Sequence, residues 1–217
     1  MNKPISLIVI VFLSVFIFGR AYAQEETSIK HEVVPFDSIE IGSASFELEI
    51  IVGQEHSILI EGHKINAQAL KYEVKGTTLD IFRNEGKKTW DRSGNSKLKV
   101  TITMQEFKEL ELRGAVDAKI TGIDSEKVKF ELNGAGNFEV SGKCQSLELD
   151  FKGAGNFEGQ DLKCEEVNVE LKGVGNIEVY ASKEIDAEIK GMGNIEVYGS
   201  PQIVNKESGF FSSISIH

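Results

Sequence analysis

One short phrase recurs through the second half of this chain. It reads NGAGNFEV at 133–140, KGAGNFEG at 152–159, KGVGNIEV at 172–179 and KGMGNIEV at 190–197, with a looser copy, RGAVDAKI, at 113–120. The leading glycines are Gly114, Gly134, Gly153, Gly173 and Gly191, so the spacing runs 20, 19, 20 and 18 residues. A catalytic loop is needed once, whereas a turn repeated at this period is the mark of a stacked coil, and the period is too short for a helical hairpin unit.

The residues before each turn alternate apolar with polar, as in Val128-Lys-Phe130-Glu-Leu132, Leu147-Glu-Leu149-Asp-Phe151 and Val167-Asn-Val169-Glu-Leu171. Period-two alternation describes a strand with one buried face. A second short strand follows each turn, for example Phe138-Glu-Val140. One coil cannot bury its apolar residues alone, but a stack of coils can. The expected fold is therefore all-β, a parallel β-helix-like solenoid of 18–20 residues per coil in the C-terminal half, with rungs about 4.8 Å apart. The twist of parallel crossovers favours right-handed winding. In this reading Gly134, Gly136, Gly153, Gly155, Gly173, Gly175, Gly191 and Gly193 supply positive φ at a corner where a Cβ would clash. The column Asn137, Asn156, Asn176 and Asn194, headed by Asp117, tolerates the left-handed region and forms an amide ladder rather than a ligand ladder.

Residues 1–23 carry Lys3, an apolar run from Ile5 to Phe18 and an Ala21-Tyr22-Ala23 end, the order of a cleaved signal peptide. The run is short for a membrane anchor, and no Cys follows it to accept a lipid. After a linker at 24–30, residues 31–217 read as one domain: irregular strands over 31–106, regular coils over 107–200 and a C-terminal cap over 201–217. In the irregular part, strands are expected at 38–41, 45–52, 57–61, 71–74, 78–83 and 97–104. One or two helical turns are expected at 63–70, and a polar hairpin loop at 84–97. IGSASFELEI at 41–50 reads as a degraded copy of the turn and second strand.

The whole chain holds 24 basic and 34 acidic residues. Residues 1–23 contain Lys3 and Arg20, so the exported remainder carries a net charge of about −12. Such a surface repels phosphate backbones and anionic lipid, which argues against nucleic-acid partners. No second long apolar run exists, and the outward strand positions are too charged for a transmembrane barrel.

FDSIEIGSASFELEIIVGQEHSILIEG (36–62), LDIF (79–82), LKVTITMQEFKELELRGAVDAKITG (98–122) and the G-x-G-N series resemble, in that order, the GIN domain family, known as autotransporter-adhesin heads. The resemblance spans nearly the whole exported chain. It implies an exported, β-helix-like domain of the Bacteroidetes type and says little about activity. No segment of this sequence reads as a translocation barrel.

Two acidic columns stand out. Glu111, Glu131, Asp150, Glu170 and Glu188 precede the corners; Glu139, Glu158, Glu178 and Glu196 follow them. Stacked carboxylates repel, and either Ca²⁺ or the basic column Arg113, Lys152, Lys172 and Lys190 would offset this; solvated ion-pair ladders are the simpler reading. The acids recur in every coil, the four His are scattered and no Ser/His/Asp arrangement is readable, so no catalytic residue, metal or cofactor is assigned. Tyr180 and Tyr198 occupy equivalent positions, and Trp90 lies in the polar loop; these three are the candidate contacts for a surface glycan or an envelope protein.

Cys144 and Cys164 stand three residues before Leu147 and Val167 and so share one column in adjacent coils. Rungs about 4.8 Å apart suit a disulfide. Stacked thiols are the other arrangement; export favours the bond. The function expected is that of an exported, non-catalytic binding or structural module, with a carbohydrate-active enzyme and an envelope sensor as the alternatives.

Overall fold

The computed structural model describes residues 26–84 and 98–217. Residues 1–23 and Trp90 lie outside them, as does the polar loop except for Asn84. Of the described residues 76% are in strands, and they wind into a β-solenoid of about five turns. The irregular part contains β1 (Glu26–Glu32), β2 (Ser38–Ile41), β3 (Ser45–Val52), β4 (Ser57–His63), the short helix α1 (Lys64–Ala69), β5 (Leu70–Lys75), β6 (Thr78–Arg83), β7 (Leu98–Met104) and β8 (Glu109–Leu112). The regular part contains β9 (Ala115–Leu132), β10 (Ala135–Phe151), β11 (Ala154–Leu171), β12 (Val174–Ile189) and β13 (Met192–Tyr198), followed by β14 (Ile203–Ser208) and β15 (Ser212–Ile216).

The segments on either side of each coil are not separate strands. From β9 to β12 each is one continuous strand of 16 to 18 residues that bends across two faces. Register shifts interrupt the pairing along them, between Glu139 and Ser141 of β10 and between Gly159 and Lys163 of β11. An extra residue in one strand of a pair bends it locally.

Parallel pairing places like on like: Phe138 on Phe157, Leu147 on Val167, Leu149 on Val169 and Phe151 on Leu171, all buried. Phe107, Phe130, Phe157 and Phe138 run through the core as neighbouring rings, with centroids 5.4, 5.3 and 6.5 Å apart in that order. Each fully buried side chain of this size contributes about 1.5–3 kcal/mol. The core is thus a set of axial columns.

The corners explain the repeated phrase. The carbonyl of Gly134 accepts the Ala154 N–H at 3.1 Å, and that of Gly153 accepts the Val174 N–H at 3.0 Å. A Cβ on Gly153 would lie 1.8 Å from the Gly134 oxygen, and one on Gly155 1.8 Å from that of Gly136. Close approach therefore excludes a side chain at both glycines. Positive φ is confined to the second of them, at Gly136, Gly155 and Gly193; Gly134, Gly153, Gly173, Gly191 and Gly175 lack it. Nor is any Asn in the left-handed region, since no residue other than glycine has positive φ among those described. The expectation of positive φ at both glycines of every corner is corrected at these positions, and the tolerance of Asn for the left-handed region is not used.

The irregular part joins the same stack. β3 lies parallel on β9, with Ser45 beside Ala115, which makes 41–50 the forerunner of the later coils. Residues expected to form a linker instead contribute β1, antiparallel to β4, which is antiparallel to β7. At the other end, within residues 201–217, β14 and β15 add a further coil on β12 and β13. Cys144 and Cys164 are adjacent in register and joined by a disulfide, with Cα atoms 4.5 Å apart. Closing a loop of 20 residues contributes about 3 kcal/mol in the chain-entropy account.

Glycine substitutions separate backbone strain from close approach. Gly53 has φ +90° with nothing within 4 Å of a new Cβ, so Gly53→Ala meets strain alone, about 1 kcal/mol. Gly155→Ala meets strain and the Gly136 carbonyl together, and a loss of about 3 kcal/mol or more is expected. Urea denaturation of both variants measures the difference; equal losses would show that the corner yields to a side chain.

Candidate functional site

The residues that follow each corner present an outward face made of columns in register. Asn137 donates from Nδ2 to Asp117 Oδ1 at 3.0 Å, Asn156 to Asn137 at 2.9 Å, Asn176 to Asn156 at 3.2 Å and Asn194 to Asn176 at 3.1 Å. Ser213 Oγ extends this ladder onto Asn194 Oδ1 at 2.8 Å. Each amide thus spends one donor and one acceptor on its neighbours, which makes the column a fastening between rungs.

The two acidic columns differ in how their charge is met. Before the corners, cations interleave with acids. Lys152 pairs with Asp150 of its own coil at 2.6 Å and Glu131 of the coil before at 3.4 Å; Lys190 pairs with Glu188 and Glu170, both at 2.8 Å. Lys172 bridges Glu170 and Asp150, and Arg113 bridges Glu111 and Glu40. Among the described residues no three His, Cys, Asp or Glu side chains gather as metal ligands.

Among the described residues, the column after the corners meets a lysine or arginine only at its first rung, where Lys119 lies 2.8 Å from Glu139. Glu158, Glu178 and Glu196 then stack in register, and no lysine or arginine pairs with them among the described residues. The Tyr198 hydroxyl donates to Glu196 at 3.1 Å, and His217 Nε2 lies 3.8 Å from the same carboxyl. Partial burial, and then the charges of Glu196 and Glu158, push the Glu178 carboxyl above its ordinary pKa. Glu170 goes the other way: hydrogen bonds from Lys172 and Lys190 hold it below the ordinary value.

Tyr180 and Tyr198 are neighbours in register beside this acidic row. Lys163 Nζ sits 4.3 Å from the Tyr180 ring centroid, and His217 stacks on Tyr198 at 5.3 Å. Residue counting does not find the Lys163 contact, because Gln160, Asp161 and Leu162 fall in a register shift that brings Lys163 opposite Tyr180.

One concavity on this face, lined by Lys119, Thr121, Glu139, Ser141, Glu158 and Asp161 among others, encloses about 180 Å³. Small-molecule sites start at about 300 Å³. Glu178, the carboxyl with the raised pKa, lies outside it.

The fold is thus a β-solenoid whose outward faces carry ladders of amides and of charged side chains. The chain belongs to the family described as "Putative auto-transporter adhesin, head GIN domain", whose model matches residues 35–201. Among solved structures it is similar to a "putative adhesin" from Bacteroides fragilis NCTC 9343 at 24% identity and TM-score 0.74, covering 90% of this chain and 98% of that one. A "putative adhesin" from Parabacteroides merdae ATCC 43184 aligns at 15% identity and TM-score 0.47, covering 88% and 96%. A "putative lipid binding protein" from Parabacteroides distasonis ATCC 8503 aligns at 21% and 0.41, covering 88% and 96%. No curated relative matches. Among the described residues no helix is long and apolar enough to cross a membrane.

The two acidic columns respond oppositely to pH. Glu170 has a lowered pKa, so its stabilisation is present above the ordinary carboxylate range and is lost as pH falls through the lowered value. Glu178 has a raised pKa, so its charged form opposes folding, and acidification through the raised value relieves that. At neutral pH Glu178→Gln is therefore expected to stabilise by about 0.2–1 kcal/mol, the scale of directly opposed like charges, with the gain vanishing in acid. Glu170→Gln is expected to destabilise. Denaturation midpoints across pH check both signs; a destabilising Glu178→Gln would contradict the assignment.

Proposed function

We propose that this chain is an exported, non-catalytic binding module, adhesin-like in action, that meets a surface glycan with the face bearing Glu158, Glu178, Glu196, Tyr180 and Tyr198. The observation that carries the reading is the departure of this face from the other. The acids before the corners are closed by lysines, whereas these three carry no such pairing among the described residues. Carboxylates accept hydrogen bonds from sugar hydroxyls, and tyrosine rings give apolar footing beside them. Rungs repeat about every 4.8 Å, so a polymer lying along the axis meets the same chemistry on successive coils. The family's description as an adhesin head supports binding over catalysis. The outward acids recur coil after coil rather than converging on one enclosed constellation, which again favours binding.

On a glycan array the purified protein is expected to bind polysaccharides without shortening them. Tyr180→Ala together with Tyr198→Ala is expected to weaken binding about tenfold or more. Undiminished binding in the double variant would move the contact to another surface, and release of oligosaccharides would favour the enzyme class.

Export rests on residues 1–23, and the cysteines report on it. In the cell of origin, the full chain is expected outside the cytoplasm with a Cys144–Cys164 linked peptide. A chain lacking residues 2–23 is expected to stay in the cytoplasm with two alkylatable thiols. Fractionation with non-reducing mass spectrometry distinguishes the two; normal export of the shortened chain would overturn the assignment of 1–23 as signal.

A further inference from the structure

The last coil departs from those beneath it at the very position that lets the others stack. Ser208 lies on Ile189 and Ser212 on Gly193, so Gly209, Phe210 and Phe211 fall over Lys190, Gly191 and Met192. The first corner glycine of five successive coils is thus replaced by Phe210, and the second by Ser212. A Cβ on Gly191 would already lie 1.9 Å from the Gly173 oxygen, so a phenylalanine cannot nest in that corner. The chain turns out of it instead, and the rings stand in solvent, Phe210 104% exposed and Phe211 84%. Neither ring covers the core.

The inward columns open at the same level. Ile185 and Val197 are fully buried, yet Val204 and Ile216, their successors one coil on, are 41% and 37% exposed. Ile214 alone of this coil packs against the core. Among the described residues no strand pairs with the outer edge of β14 or β15. Two unpaired strand edges, an open column end and two bare phenylalanines therefore share one end of the solenoid.

We propose that this end is the interface of a symmetric dimer, formed with a second copy of this chain meeting it C-terminal coil to C-terminal coil. Charge selects the occupant. The chain carries −10 overall, yet residues 200–217 hold one Lys and one Glu. Two copies of an acidic protein meet least repulsion across this neutral end, and interface centres are poor in charge and rich in aromatic rings. The opposite end does not match it. There the edge strands carry Glu26, Lys30 and Glu32 on β1 and Lys71, Glu73 and Lys75 on β5, with α1 packed against both. Charged edge strands resist pairing, so head-to-tail stacking is disfavoured and a closed two-fold arrangement follows. The area is adequate. Each phenylalanine buries about 150–250 Å², so four supply about 600–1,000 Å². Ile203, Val204, Ile216 and the strand edges bring the total towards the 1,200–2,000 Å² or so of specific interfaces.

Sedimentation velocity of the purified protein, over a dilution series, tests this. A dimer that dissociates on dilution is expected. Phe210→Ser with Phe211→Ser is expected to weaken it at least about tenfold, while Ile65→Ser, which changes an exposed apolar residue on α1 at the opposite end, leaves it intact. Both rings are exposed in the single chain, so at concentrations where the wild type is monomeric the double variant should keep its thermal midpoint, and the two should part only where the wild type is dimeric. Should it fail to fold, small-angle scattering of the wild type still decides, because end-to-end pairing about doubles the particle's length along the solenoid axis. A monomer at every concentration, open-ended oligomers, or a dimer indifferent to the two phenylalanines would each overturn the proposal.

Discussion

Everything in this fold hangs on one contact: the corner carbonyl of each coil accepting an N–H from the next, in space that a single Cβ would fill. Gly134, Gly153 and Gly173 take part in that bond in turn, and a methyl group on the glycine above would sit inside the oxygen. Because the corners stack so closely, the strands between them are held in register over their whole length. Columns of Phe, Leu and Val inside, and of Asn, Glu and Lys outside, are the consequence rather than the cause.

Stacking in register multiplies whatever a position carries. An amide gains, since each Asn finds an acceptor below and a donor above. A carboxylate loses unless cations interleave with it. The face before the corners meets this with Lys152, Lys172 and Lys190, each shared between two rungs. The face after the corners leaves Glu178 between two like charges. The same geometry thus gives one self-neutralising face and one that keeps its charge.

What could be read from residues alone was what repeats. The period, the buried alternation and the pairing of Cys144 with Cys164 all follow from counting offsets within a column. Where the repeat breaks, counting fails for physical reasons. Glu26–Glu32 has one apolar residue, Ile29, so nothing in its pattern distinguishes an edge strand from a linker. Phe210 hides the last coil because the glycine that marks the others is absent. The register shift at Gln160–Leu162 puts Lys163 on Tyr180, which no fixed offset anticipates. Which glycines need positive φ depends on how the backbone leaves the corner, and identical Gly-x-Gly phrases do not differ in that respect. The neutral and charged acidic faces look alike in sequence, because only side-chain reach decides which lysine meets which acid.

Each coil is bonded only to the coils above and below it, so a pull along the axis acts like a pull on a zip, opening the stack one rung at a time from its ends. The Cys144–Cys164 bond lies across the middle of that zip. It withholds the loop of 20 residues between the cysteines, about 70 Å of extended chain at about 3.5 Å per residue, from any lengthening under load. An oxidised chain therefore stretches less far than a reduced one before it runs taut, and the difference is a fixed length written into the spacing of two cysteines.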